Sequence, residues 1–240
     1  MNLKNKIKKI NRYSKKNNVD IFSFTKFTRT FKDVHKISIM RSLMNQLIEK
    51  LYFKGRVVDI GGGKDSNYSG ILICDDYTSI NIDKKINPDI LININEKFPL
   101  EDEQFDQCLL FNVLEHVYDW DFLFAEAKRI LKNDSFIHII IPFIYPIHGS
   151  PNDYIRVTGE YFKNFLKNNS FENITTSPIS YGPFTNSQLV GYRHKKINGP
   201  CSQLAVILDK LFHKFFKEKY LRYNTMNPLF YYIKAKFKKT

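Results

Sequence analysis

Within "PFIYPIHGSPNDYIRVTGEYF", residues 142–162, the side chains of His148, Asp153, Tyr154, Arg156 and Thr158 stand among the turn formers Pro146, Gly149 and Pro151. Loops that combine turn residues with reactive side chains are frequent places of function. His148 alone in this stretch titrates near neutrality when unperturbed, which makes it the candidate general base. The alternative is a structural histidine that ties the loop to backbone carbonyls. Asp153 and Arg156, three apart at an expected helix start, are candidate substrate-handling residues with Tyr154, or they simply pair with each other. Phe143 and Tyr145 suit either cation–π contact or core filling.

A second stretch, "VVDIGGGKDS" at 57–66, runs from two valines into an acid and three glycines. A phosphate-binding P-loop would end in Gly-Lys-Ser/Thr, but Lys64 is followed by Asp65. The dinucleotide pattern GxGxxG would use Gly61 and Gly63 and then a third glycine, where Ser66 stands. Asp83 lies 20 residues beyond Gly63, the spacing at which an acid at a strand end binds ribose hydroxyls. The ligand is therefore expected to carry a ribose but to place no phosphate on the glycines.

These residues need a frame. "RVVDI" (56–60), "ILICDD" (71–76), "TSINID" (78–83), "DILININ" (89–95), "FDQCLLFN" (105–112) and "FIHIII" (136–141) read as strands, with a helix over 119–131. Strands interleaved with helices predict an α/β fold with a largely parallel sheet, whose ligands collect at the carboxyl ends of the strands. Met40, Leu43, Met44, Leu47, Ile48 and Leu51 mark an amphipathic helix within 36–53, and Leu3, Ile7 and Ile10 a short basic one over 3–13. After residue 160 a helix ("EYFKNFLKNN") and a strand ("FENITTSPIS") are expected. A helix over 201–217, with Leu204, Leu208, Leu211, Phe212, Phe215 and Phe216 inside, and a closing strand over 228–237 follow.

Charge divides the chain into three. Residues 1–56 carry 15 Lys/Arg against 3 Asp/Glu, residues 57–190 carry 10 against 19, and residues 191–240 carry 12 against 2. Basic flanks around an acidic middle point to an anionic partner, nucleic acid or a membrane surface, or to basic decoration of exposed faces. Cys74, Cys108 and Cys201 share no CxxC spacing, so reduced thiols in a cytoplasmic protein are expected, with no structural zinc and no other metal. No secretory h-region follows the basic start, and the apolar run 136–147 is too short to span a bilayer and is broken by Pro142 and Pro146.

The segment "FPLEDEQFDQCLLFNVLEHVYDWDFLFAEAKRILKND" adds a resemblance. Together with "VVDIGGG" and "INID" it is similar to the class I S-adenosylmethionine-dependent methyltransferases, specifically the type 11-like group with an "LEHV" strand exit and an "RxLK" helix end. The likeness covers about residues 40–165. Asn133-Asp134-Ser135 replaces the group's usual Pro-Gly-Gly, and Asn93, with Asn95 as rival, stands where an adenine-contacting acid is common. The resemblance implies a Rossmann-like fold: a mostly parallel seven-stranded sheet with an antiparallel last strand and helices on both faces. It implies S-adenosyl-L-methionine as cofactor, contacted by Asp59, Gly61, Gly63, Asp83, Asn93 and Asn112, with Glu115 and His116 shaping the pocket. Asp59 would organise the turn and attract the methionyl ammonium. The pattern P-x-H-x-x-P-x-D-Y-x-R at 146–156 is similar to one in methyltransferases of surface-polysaccharide and glycolipid assembly. The expected organisation is a basic helical N-terminal extension over 1–54 and a methyltransferase domain over 55–240. Within that domain lie a cofactor half (about 55–142), a substrate loop (about 142–162) and a C-terminal helix and strand (about 201–238). The expected activity is methyl transfer to a small-molecule, sugar or glycolipid hydroxyl in the cytoplasm, with peripheral contact to the inner face of an anionic membrane. Alternatives are a nucleic-acid methyltransferase, against which the absence of an Asn/Asp-Pro-Pro-Tyr tetrapeptide at "NVLEH" speaks, and a non-catalytic cofactor-binding scaffold.

Overall fold

A computed structural model describes residues 23–93, 96–149, 151–191 and 198–239. The expected helix over 3–13 and the rival Asn95 lie outside the described residues. Seven strands form one sheet: β1 (Phe53–Ile60), β2 (Cys74–Asn81), β3 (Ile90–Leu91), β4 (Phe105–Phe111), β5 (Leu131–Pro142), β6 (Phe171–Ile179) and β7 (Phe230–Phe237), in the order β3-β2-β1-β4-β5-β7-β6. Strands β1 to β5 pair in parallel, with Val58 opposite both Thr78 and Cys108, and Leu109 opposite His138. β7 runs antiparallel to β6: Lys238 N–H donates to Ser170 at one end, and Leu229 N–H to Ile179 at the other. The expected architecture, including the antiparallel last strand, is thus present. Val57, Val58, Ile80, Leu109, Leu110, Ile137, Ile139 and Ile140 are wholly buried, as strands covered on both faces require.

Two expected strands at 71–76 and 78–83 are one. Ser69–Ile71 is instead a 3-10 turn, and β2 runs unbroken through Asp75 and Asp76. Those acids stay in the strand because its entry end is exposed and its neighbour supplies partners. Asp75 accepts from the Gly55 N–H at 2.8 Å, and Asp76 pairs with Arg56 at 3.4 Å. The strand expected at 89–95 shrinks to two residues.

The helices are α1 (Phe27–Asp33), α2 (Ile39–Ile48), α3 (Trp120–Ile130), α4 (Gly159–Asn168), α5 (Pro183–Val190), α6 (Asn198–Phe215) and α7 (Lys217–Met226). Side chains cap three of them: Ser38 accepts from Arg41 N–H, Asp119 from Phe122 N–H and Thr158 from Tyr161 N–H. Asp134, inside β5 where its register with β4 shifts, takes φ +64°, the left-handed conformation that Asn and Asp tolerate.

The chain forms two compact units. One holds 51–142, 147–176 and 232–239; the other holds 23–50, 143–146, 177–191 and 198–231. Residues 23–50 group with α5–α7 in the second of these units. Within that helical unit Lys210 lies 3.7 Å from the Phe27 ring centroid, and Gln203 donates to the Phe31 carbonyl.

α6 is turned from its expected orientation: of the six side chains expected inside, only Leu208 and Phe212 are even half-buried. Leu204, Leu211, Phe215 and Phe216 are exposed, whereas Ala205, Val206 and Asp209 are buried. Asp209 supplies the reason: its two carboxylate oxygens accept the Phe184 and Thr185 N–H groups at 3.0 and 2.9 Å, capping the start of α5. Satisfying those amides turns the acid inward and the leucines out. No helix among the described residues is long and apolar enough to cross a membrane.

Candidate active site

Asp59 closes β1 and is wholly buried, with Tyr68 and Tyr77 donating hydroxyl hydrogen bonds to it at 3.0 and 2.7 Å. Burial pushes its carboxyl up to about 6, against the pull of the two hydroxyls. It anchors two aromatic side chains beside the glycine turn. Gly61 follows at φ +88°, and a Cβ there would stand 2.3 Å from Val113 Cγ2. At Gly63 a Cβ would stand 2.1 Å from the Ile86 carbonyl oxygen. These glycines therefore admit the exit of β4 and the turn after β2, a demand of the fold that exists before any ligand arrives.

The amides that a phosphate would need are already committed. Lys64, Asp65 and Ser66 N–H groups donate to the carbonyls of Asn87, Ile86 and Gly63 at 3.0–3.1 Å, and Lys64 Nζ pairs with Asp89 at 3.0 Å. Asp83, exposed just past β2, accepts the Lys85 N–H through Oδ1 at 2.9 Å. A carboxylate so displayed fits a ribose diol. Asn93 is exposed beyond β3, its amide donating to Glu96 at 2.8 Å. Asn112 sits at φ +55° where β4 ends. The donor set at these strand ends suits a nucleoside without a phosphate, as S-adenosylmethionine is.

Past Asn112 the chain makes a 3-10 turn, Leu114–His116, fixed by the Trp120 indole N–H donating to Leu114 O at 2.9 Å. Trp120 begins α3 and packs on Phe162 and Phe165 of α4, ring centroids 5.5 and 5.4 Å apart. This aromatic cluster holds both ends of the loop problem: the 114–116 turn on one side and the residues leading into α4 on the other.

The loop after β5 docks on that turn. Tyr154 N–H donates to Glu115 O at 2.8 Å, the His116 Nδ1 bonds the Asn152 carbonyl, and the His116 and His148 rings meet edge to face at 5.1 Å. The His148 N–H donates to Asp153 Oδ2 at 3.0 Å, and its Nδ1 lies 3.3 Å from the same oxygen. Arg156 grips Asp153 through both terminal nitrogens. Burial opposes ionisation of Asp153, but the Arg156 and His148 hydrogen bonds outweigh it and hold the carboxyl below its ordinary range. The pairing of Asp153 with Arg156 forms outside a helix, since α4 begins only at Gly159. Tyr154 contributes its backbone here; its ring packs on Tyr118 at 5.6 Å and its hydroxyl accepts from Asn152. Phe143 packs edge-on to Tyr231 at 5.6 Å.

Two residues that the resemblance placed in support stand at the centre of this cluster. Glu115 is wholly buried, no other residue donates a hydrogen bond to its carboxylate oxygens, and burial pushes its carboxyl up to about 8. Its Oε1 lies 3.7 Å from His116 Nε2. Burial, together with His148 and Arg156 nearby, lowers the His116 pKa. Adjacency of an acid and a histidine at a strand exit was the available signal. Their meeting with His148, over thirty residues on, depends on how the loop folds back.

A methyltransferase-domain family model matches residues 58–139. No curated protein matches the chain. Solved structures with this fold include a SAM-dependent methyltransferase from Archaeoglobus fulgidus, at 18% identity and TM-score 0.51, covering 82% of this chain and 94% of that one. A possible histamine N-methyltransferase from Thermotoga maritima matches at 17% identity and TM-score 0.53, covering 85% and 92%. Phosphoethanolamine N-methyltransferase 2 from Haemonchus contortus, in complex with S-adenosylhomocysteine, matches at 16% and 0.51, covering 82% of this chain and 52% of that one. The structural likenesses establish the fold, and the domain match runs from the end of β1 to most of the way along β5. Residues 58–139 thus carry a methyltransferase domain, on a fold shared with SAM-dependent methyltransferases of known structure.

Proposed function

We propose that the enzyme methylates a hydroxyl group of a small molecule, a sugar or a glycolipid. The observation that carries this reading is the His148–Asp153–Arg156 arrangement, docked on the turn that follows the strand exit touching Gly61. A hydroxyl is a poor nucleophile until its proton is removed, so its methylation needs a base that an amine acceptor does not. A histidine whose Nδ1 faces a buried, Arg-paired carboxylate is oriented for that role. Bound cofactor supplies the methyl group on its sulfonium; the chain's part is to place the acceptor oxygen in line and accept its proton. Gly61, Gly63, Asp83, Asn93 and Asn112 hold the cofactor in this reading, and Tyr154 steers the acceptor from the exposed side.

The exposed face of α6 supports an acceptor carried on a membrane. Leu204, Ile207, Leu211 and Phe215, at steps of three and four, make an exposed apolar stripe, beside a groove of about 560 Å³ lined by Lys210, Lys214 and Lys217. An apolar helix face rimmed by lysines fits the interface of an anionic membrane. A lipid-linked sugar would then be met at the surface, with the enzyme peripheral at the inner face. The test is to incubate the protein and methyl-radiolabelled cofactor with fractionated lysate. Base-stable label in the lipid, polysaccharide or small-molecule fraction is expected. Label confined to nucleic acid, or to amine products, would overturn the reading, and no label would point to a cofactor-binding scaffold.

A further inference from the structure

We propose that Glu115, His116 and His148 form a site for a divalent transition-metal ion, with Asp153 and the Asn152 carbonyl as its outer partners. The donor atoms of the three residues lie within 4.8 Å of one another. The first argument is the state of Glu115. A carboxylate with no exposure and no hydrogen bond from another residue is costly unless a charge compensates it. Arg156, the cation that acts on Glu115, is committed to Asp153 through both terminal nitrogens, so that pair adds no net charge.

The second argument is tautomeric. The Asn152 carbonyl can only accept, so the His116 Nδ1 in contact with it carries the proton. Nε2 then presents a lone pair toward Glu115 Oε1 at 3.7 Å, so that with Glu115 ionised one acceptor faces another. A cation between them satisfies both. The third is the outer layer: each imidazole has an oxygen against its Nδ1, Asn152 O for His116 and Asp153 Oδ2, at 3.3 Å, for His148. Metal-binding histidines are commonly oriented this way. Two imidazoles and a carboxylate are the donor set of zinc, manganese and iron(II) sites with positions left open. Ligand atoms sharing a tetrahedral ion at roughly 2.1 Å stand roughly 3.4 Å apart, so the cluster has to close by about an ångström. The half-exposed His148, on the loop, is the member with room to move.

The absence of a metal expected from the sequence rested on the spread of the cysteines, whereas this donor set is nitrogen and oxygen. The ion's role rests on the hydroxyl reading, in which, with the His148 imidazole as its ligand, it would take the place of that imidazole in activating the hydroxyl. Bound to the acceptor oxygen it would lower the hydroxyl pKa, so that the proton leaves to solvent, the O–CH₃ bond forms and the S–CH₃ bond breaks to give S-adenosylhomocysteine. Binding itself does not depend on that reading.

The test uses the full chain, without a polyhistidine tag and stripped by chelator, titrated with Zn²⁺ by calorimetry and with Co²⁺ by visible absorption. One ion per chain is expected, with Co²⁺ bands of a low-symmetry nitrogen–oxygen site. Glu115→Gln and His148→Ala should each weaken binding more than tenfold, and His35→Ala should leave it unchanged. His148→Ala changes a half-exposed side chain and guards against a Glu115→Gln variant that misfolds. Absence of one-to-one binding, or binding unchanged by His148→Ala, would overturn the site, as would a proton held between Glu115 and His116 that metal does not displace. Transfer to an amine instead of a hydroxyl would remove the functional reading and leave this result standing.

Discussion

Asp59 and Asp83 end neighbouring strands and use the same functional group in opposite ways. Asp59 is sealed beneath two tyrosine hydroxyls, and a Cβ at Gly62 would stand 2.0 Å from its carboxylate; Asp83 is exposed and held by a single backbone amide. Asp83→Ala should therefore leave the fold intact and weaken S-adenosylhomocysteine binding by about 1.5–3 kcal/mol for each charged hydrogen bond lost. Calorimetry showing unchanged affinity would remove Asp83 from the cofactor site. His138, in β5, makes a different kind of prediction. Its ring sits between Gln107 Oε1 at 2.9 Å and Tyr232 Oη at 2.8 Å, and burial, with Lys234 nearby, lowers its pKa to about 3. Between its unfolded value, about 6.5, and that folded value the unfolded chain binds a proton that the native state refuses. Stability should accordingly fall as pH drops from about 6.5 toward 3, by up to about 1.4 kcal/mol per pH unit from this group. Urea melts across pH 7 to 4 should show a shallower slope for His138→Gln than for the parent. Equal slopes would mean that the imidazole is protonated in place.

α3 does more than cover the sheet. Arg129, near its end, pairs with Glu126 through two hydrogen bonds at 2.8–2.9 Å and donates to the carbonyls of Phe98 and Leu100 and to Asp102, while Glu126 accepts the Phe98 N–H at 2.7 Å. One ion pair thus ties down the lead-in to β4. Arg129→Ala should cost about 3 kcal/mol, because it strands the largely buried Glu126 and two carbonyls. Chemical denaturation is the check, and a loss under about 0.5 kcal/mol would show that water replaces the guanidinium. α3 was also legible from the chain itself: Asp119 caps it, Leu123, Phe124, Ala127 and Ile130 recur on its buried face, and its neighbours β4 and β5 are apolar on both faces. α6 was not. Its periodicity was readable, but its orientation is decided by Asp209 reaching amides at 184 and 185, a contact that local pattern does not carry. The same holds for the site. The glycine turn and Asp83 are sequence-local signals, whereas Glu115 and His116 join His148 only because Trp120, Phe162 and Phe165 fold the loop back on the turn.

Across the whole molecule, charge is laid out in blocks, with an excess of ten cationic side chains over residues 191–240 beside an acidic middle. Lysines near an anionic bilayer are worth about 1 kcal/mol each, so a few around the α6 stripe suffice for reversible docking at low salt. The protein should sediment with vesicles containing phosphatidylglycerol, remain in the supernatant with neutral ones, and lose binding on raising the salt or in a Leu211→Glu, Phe215→Glu double variant. Retention by nucleic acid without vesicle binding would reject the membrane assignment. The position of β7 has a separate implication, for how the protein is made. That strand is synthesised after both of its neighbours, yet it belongs between β5 and β6. Until residues 230–237 emerge from the ribosome, β5 has a bare edge next to β4, and β6 has no partner to stand against. The nascent chain therefore carries an unpaired, strongly apolar strand through the synthesis of about ninety further residues, the open edge that invites pairing between chains. Premature termination anywhere in that interval would release a polypeptide with its cofactor half complete and its sheet unfinished, a natural client for chaperones and proteases.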